Sequence, residues 1–222
     1  MKADLVSYLR HTDRPAKRAL QAALFGRIGS LLQECPTNVV DLPGIDLEGS
    51  LKRLTQAGIA TDHYLAFEND PRVMGALRRK RATLRRWEGG YLCYPGARKV
   101  SLHQGDILTV LSDHLRPRTT VLNRGVDYGG GIGFFNFDFC DTVSPPARIL
   151  LLLSAIDRYM APVTAVVITY SRRRTGGRER LYYVLSEIAR GLFGITLREY
   201  QPNNYRDTAP MGSDLFILER SK

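Results

Sequence analysis

The segment "HYLAFENDPRVMGAL", His63 to Leu77, decides the fold because it joins an apolar strand directly to a helix. Its first half is rich in aromatic and aliphatic residues, which is typical of a strand. Asp70 followed by Pro71 is typical of a helix start, with the aspartate as the N-cap. A strand that leads straight into a helix is the repeating unit of parallel α/β sheets.

The same unit recurs on both sides of this segment. Four further stretches follow a strand pattern, with helical spacing between them; they begin at Asn38, Lys99, Gly133 and Val163. Two last strands, "ITLREYQPNNYR" and "SDLFILERS", have no helix between them. We therefore predict an α/β fold: a doubly wound, mostly parallel seven-stranded sheet with a C-terminal antiparallel hairpin and helices on both faces.

The predicted organisation is one core with a helical extension in front of it. Asp13 and Pro15 mark the start of a helix that precedes the first strand. We predict that residues 1–36 form an N-terminal helical segment packed on the core, and that residues 37–222 form a Rossmann-like domain. A chain of 222 residues is long enough for a single full-sized core.

The charge of the chain indicates its class of partner. The 32 lysines and arginines outnumber the 22 aspartates and glutamates, which gives a net charge of +10. Such an excess favours polyanionic partners, first nucleic acid (DNA or RNA) and second an anionic membrane surface. The alternative is a soluble protein whose positive charge serves no polyanionic partner.

Composition and residue spacing also argue against several classes of protein. No apolar stretch is long enough to span a membrane, and the start of the chain lacks the apolar centre of a signal peptide. The three cysteines and four histidines show neither disulfide-framework nor metal-ligand spacing, so no metal is expected. These features favour an intracellular, cytoplasmic location. The oligomeric state stays open.

A cluster of four glycines resembles a phosphate-binding loop at first sight; it consists of Gly129, Gly130, Gly131 and Gly133. A dinucleotide fingerprint places its glycines after a strand and at the start of a helix. Here the glycines precede a strand instead. We expect either a flexible loop that leads into that strand or a mobile loop that covers a substrate.

Acidic residues follow each of the first four predicted strands: Asp41, Glu68, Asp106, and the pair Asp138 and Asp141. In an open parallel sheet, ligands bind beyond the carboxyl ends of the strands, where all of these residues are expected to meet. Capping of the following helix is the alternative explanation for Asp106. A carboxylate after the second strand suits a ribose, because it accepts hydrogen bonds from both hydroxyls.

With these motifs in this order, the chain from Asn38 to Arg220 resembles the class I S-adenosylmethionine-dependent methyltransferases. The resemblance implies S-adenosylmethionine as cofactor, with Glu68 on the ribose hydroxyls, Asp106 near the adenine amino group and Ile107 beside the ring. It also places Asp41 and Gly44 in the cofactor-binding first motif. The chain departs from that motif at Pro43, which stands where the first glycine is usual and has no N–H.

The fourth strand carries the candidates for chemistry. Asn136, Asp138 and Cys140 share one face by their period of two. The resemblance places this strand end where methyltransferases hold the target group, so the candidate catalytic residues are Asn136, Asp138 and Asp141. For Cys140 we considered a nucleophile and, as the alternative, a small buried residue.

Two arginine clusters are candidates for nucleic-acid binding. One contains Arg85 and Arg86 at the end of "LRRKRATLRRW", and the other contains Arg172, Arg173, Arg174 and Arg178 after the fifth strand. The second cluster follows a strand and is therefore expected at the edge that holds the cofactor. A solvated charged face is the alternative for both clusters.

The sequence therefore predicts S-adenosylmethionine-dependent methyl transfer to a nucleic acid, at a base or a ribose of DNA or RNA. The alternative is a catalytically inactive protein of the same fold that binds nucleic acid or another partner. An NAD-type oxidoreductase is disfavoured because its glycine fingerprint is missing.

Overall fold

The computed structural model describes residues 15–32, 36–88, 91–112, 131–139, 146–172, 177–206 and 210–220. The described helices are α1 Pro15–Leu32, α2 Leu47–Gln56, α3 Pro71–Leu84, α4 Ile107–Ser112, α5 Pro146–Tyr159, α6 Gly177–Tyr183 and α7 Ala189–Phe193, with a π-helical turn, Val184–Ile188, between the last two. The described strands are β1 Thr37–Asp41, β2 Thr61–Glu68, β3 Arg86–Glu88, β4 Tyr91–Cys93, β5 Lys99–Gln104, β6 Ile132–Asp138, β7 Met160–Ser171, β8 Ile195–Gln201, β9 Asn204–Arg206 and β10 Pro210–Arg220.

The main sheet has the strand order β5-β2-β1-β6-β7-β10-β8, and β9 pairs with β10. The pairs from β5 through β7 are parallel, whereas β10 is antiparallel to both β7 and β8. This order confirms the predicted doubly wound sheet with its C-terminal antiparallel hairpin. The seven predicted strands form the continuous path, and short β9 adds an eighth strand at its edge.

Alternate residues of the central strands face two different apolar layers. Val39 and Phe134 belong to the layer under α1, α2 and α3, and Phe25 of α1 meets Phe134 edge-on at 5.1 Å. Val40 and Phe135 belong to the opposite layer, which contains residues of α4 to α7. Burial on both sides explains why these strands are almost continuously apolar.

The helix that starts after β2 begins as the sequence predicts. Asp70 caps α3 by accepting a hydrogen bond from the Arg72 backbone N–H at 2.8 Å, with Pro71 in the first turn. The antiparallel pair β3–β4, which follows α3, was not predicted. Its strands are three residues long, too short to produce a period-two pattern.

Two glycines of the cluster lie at the amino end of β6, before or at its start. Gly131 has φ +74°, and a side chain there would collide with the backbone of Met160. A side chain at Gly133 would collide with Thr37. Both glycines therefore serve close packing at the edge opposite the strand's carboxyl end, while Gly129 and Gly130 lie outside the described residues.

None of the helices in the described ranges is long and apolar enough to cross a membrane.

Candidate active site at the carboxyl edge of the sheet

The candidate site is centred on the switch point of the sheet. From β1 the chain continues to β2 on one side, and β6 pairs with β1 on the other side. Asp41 ends β1 and is the register partner of Asn136 on β6. The Asn136 side chain donates from Nδ2 to Asp41 Oδ1 at 2.7 Å. Ligands of open α/β sheets bind at this position in the topology.

Asp41 is a buried carboxylate that is surrounded by neutral donors. The Tyr64 hydroxyl donates to its Oδ2, and Asn136 donates to its Oδ1. Burial raises the pKa of Asp41, because it penalises the charged form; these two hydrogen bonds and the charge of Arg53 oppose the rise only in part. Burial beside this carboxylate also raises the pKa of Tyr64 well above its ordinary value.

Asn136 leaves an unused acceptor next to this carboxylate. The residue is 4% exposed, and its Oδ1 accepts no hydrogen bond from any described residue. A buried acceptor without a donor costs free energy, on the order of 1–3 kcal/mol. Such an atom at a switch point indicates a place where a ligand or a water supplies the donor.

The turn after β1 is built around the unusual Pro43. Gly44 takes φ +56°, and the Pro43 carbonyl accepts a hydrogen bond from the Asp46 backbone N–H at 3.2 Å. Asp46 then caps α2 by accepting from the Gly49 N–H at 3.0 Å. Asp46 also accepts from Arg53 at 3.4 Å. The positive φ sits at the residue after Pro43, so the chain turns one position later than in a glycine-first loop.

Glu68 ends β2 on the same face of the sheet as Asp41. It is 8% exposed, and its Oε1 accepts a hydrogen bond from the Asp70 backbone N–H at 2.8 Å. Burial raises the pKa of Glu68, and the backbone N–H groups of Asp70 and Asn69 partly offset this rise. The structure thus brings Glu68, Asp41 and Asn136 to one edge and one face.

Asp106 and Ile107 follow β5 but face different surroundings. Asp106 caps α4 by accepting from the Thr109 backbone N–H at 3.0 Å, and Arg148 lies 3.5 Å from its other oxygen. Ile107 is buried in the apolar layer beneath α4 and α5. The capping role considered for Asp106 is therefore present, and contact of either residue with a cofactor stays a prediction.

Asp138 ends β6 and forms an ion pair that the sequence did not suggest. Lys17 of α1 reaches its Oδ2, and both side chains are largely buried. Helical periodicity contained a signal for this lysine, because Lys17 and Gln21 lie on the same stripe as the buried residues Leu24 and Ile28. Asp138 is therefore partly neutralised by α1, whereas Asn136 beside it keeps its acceptor open. Asp141 and Cys140 lie outside the described residues.

The second arginine cluster divides into two environments. Arg172 is exposed at the carboxyl end of β7 and donates to Asn204 of β9 at 2.8 Å. Arg178 is turned inward: its guanidinium forms two hydrogen bonds to Asp214, at 2.8 and 3.0 Å, and one to the Asn203 carbonyl. Because Arg178 is occupied within the fold, it is not part of the interface that we propose below. Arg173 and Arg174 lie outside the described residues.

The first arginine cluster lies at the other edge of the sheet. Arg85 and Arg86 follow the end of α3, a helix that starts at the carboxyl end of β2 and runs back to the amino edge. Arg85 donates to the Tyr94 hydroxyl at 3.1 Å. Both arginines are exposed, but the structure does not bring them to the edge that holds Asp41 and Glu68.

No protein-family model and no curated protein sequence matches the chain. Solved structures do match it in fold. The plantazolicin methyltransferase BamL, solved with S-adenosylhomocysteine, has a TM-score of 0.58 at 9% identity and covers 99% of this chain and 90% of its own. Cofactor-bound Rv0187 of MTB has a TM-score of 0.55 at 12% identity, with 98% and 90% covered. The O-methyltransferase TomG of Streptomyces achromogenes has a TM-score of 0.53 at 14% identity, with 92% and 81% covered.

The strand order and these likenesses define the class of fold. The chain has the fold of the class I S-adenosylmethionine-dependent methyltransferases, as the motif order predicted.

Proposed function

We propose that this protein binds S-adenosylmethionine at the carboxyl edge of its sheet and transfers the methyl group to a nucleic acid. The observation that carries the proposal is the unused acceptor Asn136 Oδ1, buried beside Asp41 at the switch point. The fold supports it, since the similar structures of BamL and TomG hold S-adenosylhomocysteine and S-adenosylmethionine.

The residues at this edge fit the cofactor chemically. A carboxylate such as Glu68 suits a ribose diol, and its burial strengthens the hydrogen bonds that it accepts. The positive φ of Gly44 lets the chain bend away where a ligand approaches. Asp41, Asp106 and Ile107 complete the proposed cofactor-binding set. When bound, S-adenosylmethionine supplies an electrophilic methyl group on a sulfonium.

The chain's own work in the transfer is to hold and orient the target group. Asn136 Oδ1 would accept a hydrogen bond from the N–H or O–H that is to be methylated, and thereby align it for attack. Asp138 and Asp141 are the further proposed acceptors. The ion pair with Lys17 would limit how much negative charge Asp138 offers to the target group.

The nucleic-acid part of the proposal depends on charge. The net charge of +10 attracts a polyanion, and exposed Arg172 lies at the carboxyl end of β7, beside the proposed site. Arg173 and Arg174 follow it directly in the sequence. An arginine can form paired hydrogen bonds with a phosphate, so this cluster is suited to position a substrate strand.

The chemical role of Asn136 is tested by substituting alanine for it. Methyl transfer from labelled S-adenosylmethionine to single-stranded DNA and RNA should fall about 100-fold in Asn136→Ala, because one positioned acceptor is lost. Asn38→Ala is the matched control: Asn38 is a buried strand asparagine whose side chain donates to the Gly131 carbonyl at 2.9 Å, at the opposite edge. Cofactor affinity, measured on the same samples, reports whether the variants are folded. Equal activity in both variants would remove Asn136 from the site.

A second candidate function is a catalytically inactive protein of the same fold that binds nucleic acid. Two observations favour it: Pro43 replaces the first glycine of the cofactor turn, and Lys17 is paired with Asp138. This candidate predicts salt-sensitive nucleic-acid binding without any S-adenosylmethionine binding. Calorimetry with the cofactor separates it from the enzyme.

A further inference from the structure

A basic and aromatic patch at the amino edge of the sheet is not used by the proposed active site. We call it the Trp87 patch; it consists of Trp87 and the two arginines that precede it in the chain, Arg85 and Arg86. Trp87 is the single tryptophan of the chain and is 76% exposed on β3. Arg85 and Arg86 are exposed as well. A large aromatic ring so open to water is unusual, since Trp residues are highly buried on average.

The arginines of the Trp87 patch form no ion pair with any described carboxylate side chain. The ion pairs between side chains that the structure describes include neither Arg85 nor Arg86. Lys80 on the preceding helix α3 differs, because it forms an ion pair with Glu48 of α2. The patch therefore combines an exposed aromatic ring with two exposed arginines that directly precede it in the chain.

The topology places this patch far from the proposed active site. The segment from Arg86 to Lys99 connects the end of α3 to the start of β5, at the amino ends of the parallel strands. The eight residues of β2 separate the two edges, which amounts to roughly 25 Å at about 3.3 Å per residue. One short ligand cannot contact both places.

Next to the patch, the surface is concave. A groove of about 380 Å³ is lined by Thr55, Thr61, Cys93, Tyr94 and Arg98, among others. Tyr94 joins the groove to the patch, because its hydroxyl accepts the hydrogen bond from Arg85. That bond holds the Arg85 guanidinium beside β3 and β4, where Trp87 lies.

We propose that the Trp87 patch is a second binding surface for single-stranded nucleic acid. Trp87 stacks on an unpaired base, and Arg85 and Arg86 contact the flanking phosphates. Base stacking on an exposed aromatic ring together with arginine contacts to the backbone is how proteins bind single strands without reading their sequence. A paired duplex hides its base faces, so an unpaired segment is required. The inference rests on the proposed function for its class of substrate. It adds that the bound nucleic acid extends from the carboxyl edge of the sheet to the amino edge.

The single tryptophan makes this proposal directly measurable. Titration of the wild-type protein with single-stranded DNA or RNA should quench Trp87 fluorescence, and the affinity should rise as oligonucleotides lengthen from about 4 to about 16 nucleotides. A duplex of the same sequence should quench much less. Binding that is seen by polarisation of a labelled oligonucleotide but leaves Trp87 fluorescence unchanged would overturn the proposal.

Two pairs of variants separate stacking from charge, with polarisation as the readout. Trp87→Ala should weaken single-strand binding about 10-fold, whereas Tyr183→Ala, which removes another exposed aromatic ring, should not. Arg85→Gln with Arg86→Gln should reduce the slope of log affinity against log salt by about 1.4, or 0.7 for each lost contact to a single strand. Arg27→Gln with Arg190→Gln removes the same charge from two arginines paired with Glu199 and Glu187, and should leave the slope nearly unchanged. Equal losses in both members of a pair would contradict the proposal.

Other occupants of the patch give different results. Concentration-dependent protection of Trp87 without nucleic acid would show a contact between copies of the chain, and quenching only by anionic vesicles would show a membrane surface; either result overturns the proposal. Failure of the proposed enzyme is distinguishable, because absent S-adenosylmethionine binding leaves Trp87 quenching by oligonucleotides intact. Conversely, methyl transfer to long oligonucleotides that is equal in Trp87→Ala and wild type would overturn the second binding surface and leave the proposed enzyme standing.

Discussion

Two buried aspartates, Asp41 and Asp214, occupy comparable places near the carboxyl edge but have different surroundings. Asp214 lies on β10 and accepts hydrogen bonds from an arginine, two tyrosine hydroxyls and a backbone N–H; these donors are Arg178, Tyr170, Tyr200 and Asn203. Asp41 lies on β1 and accepts from Tyr64 and Asn136, and no cationic side chain in the described ranges donates to it.

This difference distinguishes a cluster that stabilises the fold, around Asp214, from a candidate ligand-binding cluster, around Asp41. At Asp214 a positive partner balances the charge, and the oxygen atoms are shared among several donors. At Asp41 burial raises the pKa, and Asn136 beside it keeps an acceptor without a partner in the described chain. Buried polar groups that only support a fold are normally satisfied. The Asp41 cluster also lies at the switch point of the sheet, where ligands of open α/β sheets bind, and it is the one that we propose for ligand binding.

The largest expected effect comes from breaking the complete cluster. Arg178→Ala should lower the free energy of unfolding by about 3–5 kcal/mol, because it leaves the fully buried Asp214 without its cation. Denaturant unfolding measures this loss. Arg220→Ala is the control: Arg220 pairs with Asp157 at the surface, and its loss should cost at most about 1 kcal/mol. Similar losses in the two variants would show that Asp214 does not depend on Arg178.

A smaller loss is expected at the incomplete cluster. Tyr64→Phe removes one of the two hydrogen bonds to Asp41 and should cost about 1–3 kcal/mol of unfolding free energy at pH 7. Tyr94→Phe serves as the control, since its hydroxyl accepts only from exposed Arg85 among the described residues. No difference between the two phenylalanine variants would mean that the Asp41 cluster is not held by Tyr64.

The pH dependence of this loss sharpens the comparison. A carboxyl whose folded pKa lies above its unfolded value stabilises the protonated fold, and this contribution disappears as pH rises through the folded pKa. Tyr64→Phe removes a hydrogen bond that opposes the rise, so the pKa of Asp41 should increase further above its ordinary value of 3.8. The stability gap between wild type and Tyr64→Phe should therefore be smaller near pH 4 than at pH 7. A gap that widens toward acid pH would contradict the raised pKa.

The fold could be predicted because its signals are local. Asp70 and Pro71 mark a helix start by their backbone chemistry, and continuous apolar strands indicate burial on both faces. The placement of Glu68 and Asp41 at the carboxyl edge could be predicted for a similar reason, since a residue at a strand end reaches the same edge in any parallel sheet. The hairpin of β3 and β4 was not predicted, because strands of three residues are too short to show a period-two pattern.

The contacts within the site could not be predicted in the same way. Lys17 and Asp138 are separated by most of the chain, and only the tertiary fold brings α1 over the end of β6. The inward turn of Arg178 depends likewise on Asp214, which looks in the sequence like any charged residue in a strand. Composition indicated a polyanionic partner but not which arginines remain free to meet it.

The central claim is that the carboxyl edge binds S-adenosylmethionine despite Pro43, and calorimetry tests it most directly. The wild-type protein should bind S-adenosylmethionine and its demethylated product at a single site, and Glu68→Ala should weaken both by about 10-fold or more, through loss of a charge-assisted hydrogen bond. Glu219→Ala, at a surface ion pair with Arg198, should bind as the wild type does. Absence of binding heat at millimolar cofactor, or equal affinity in Glu68→Ala and wild type, would contradict the account.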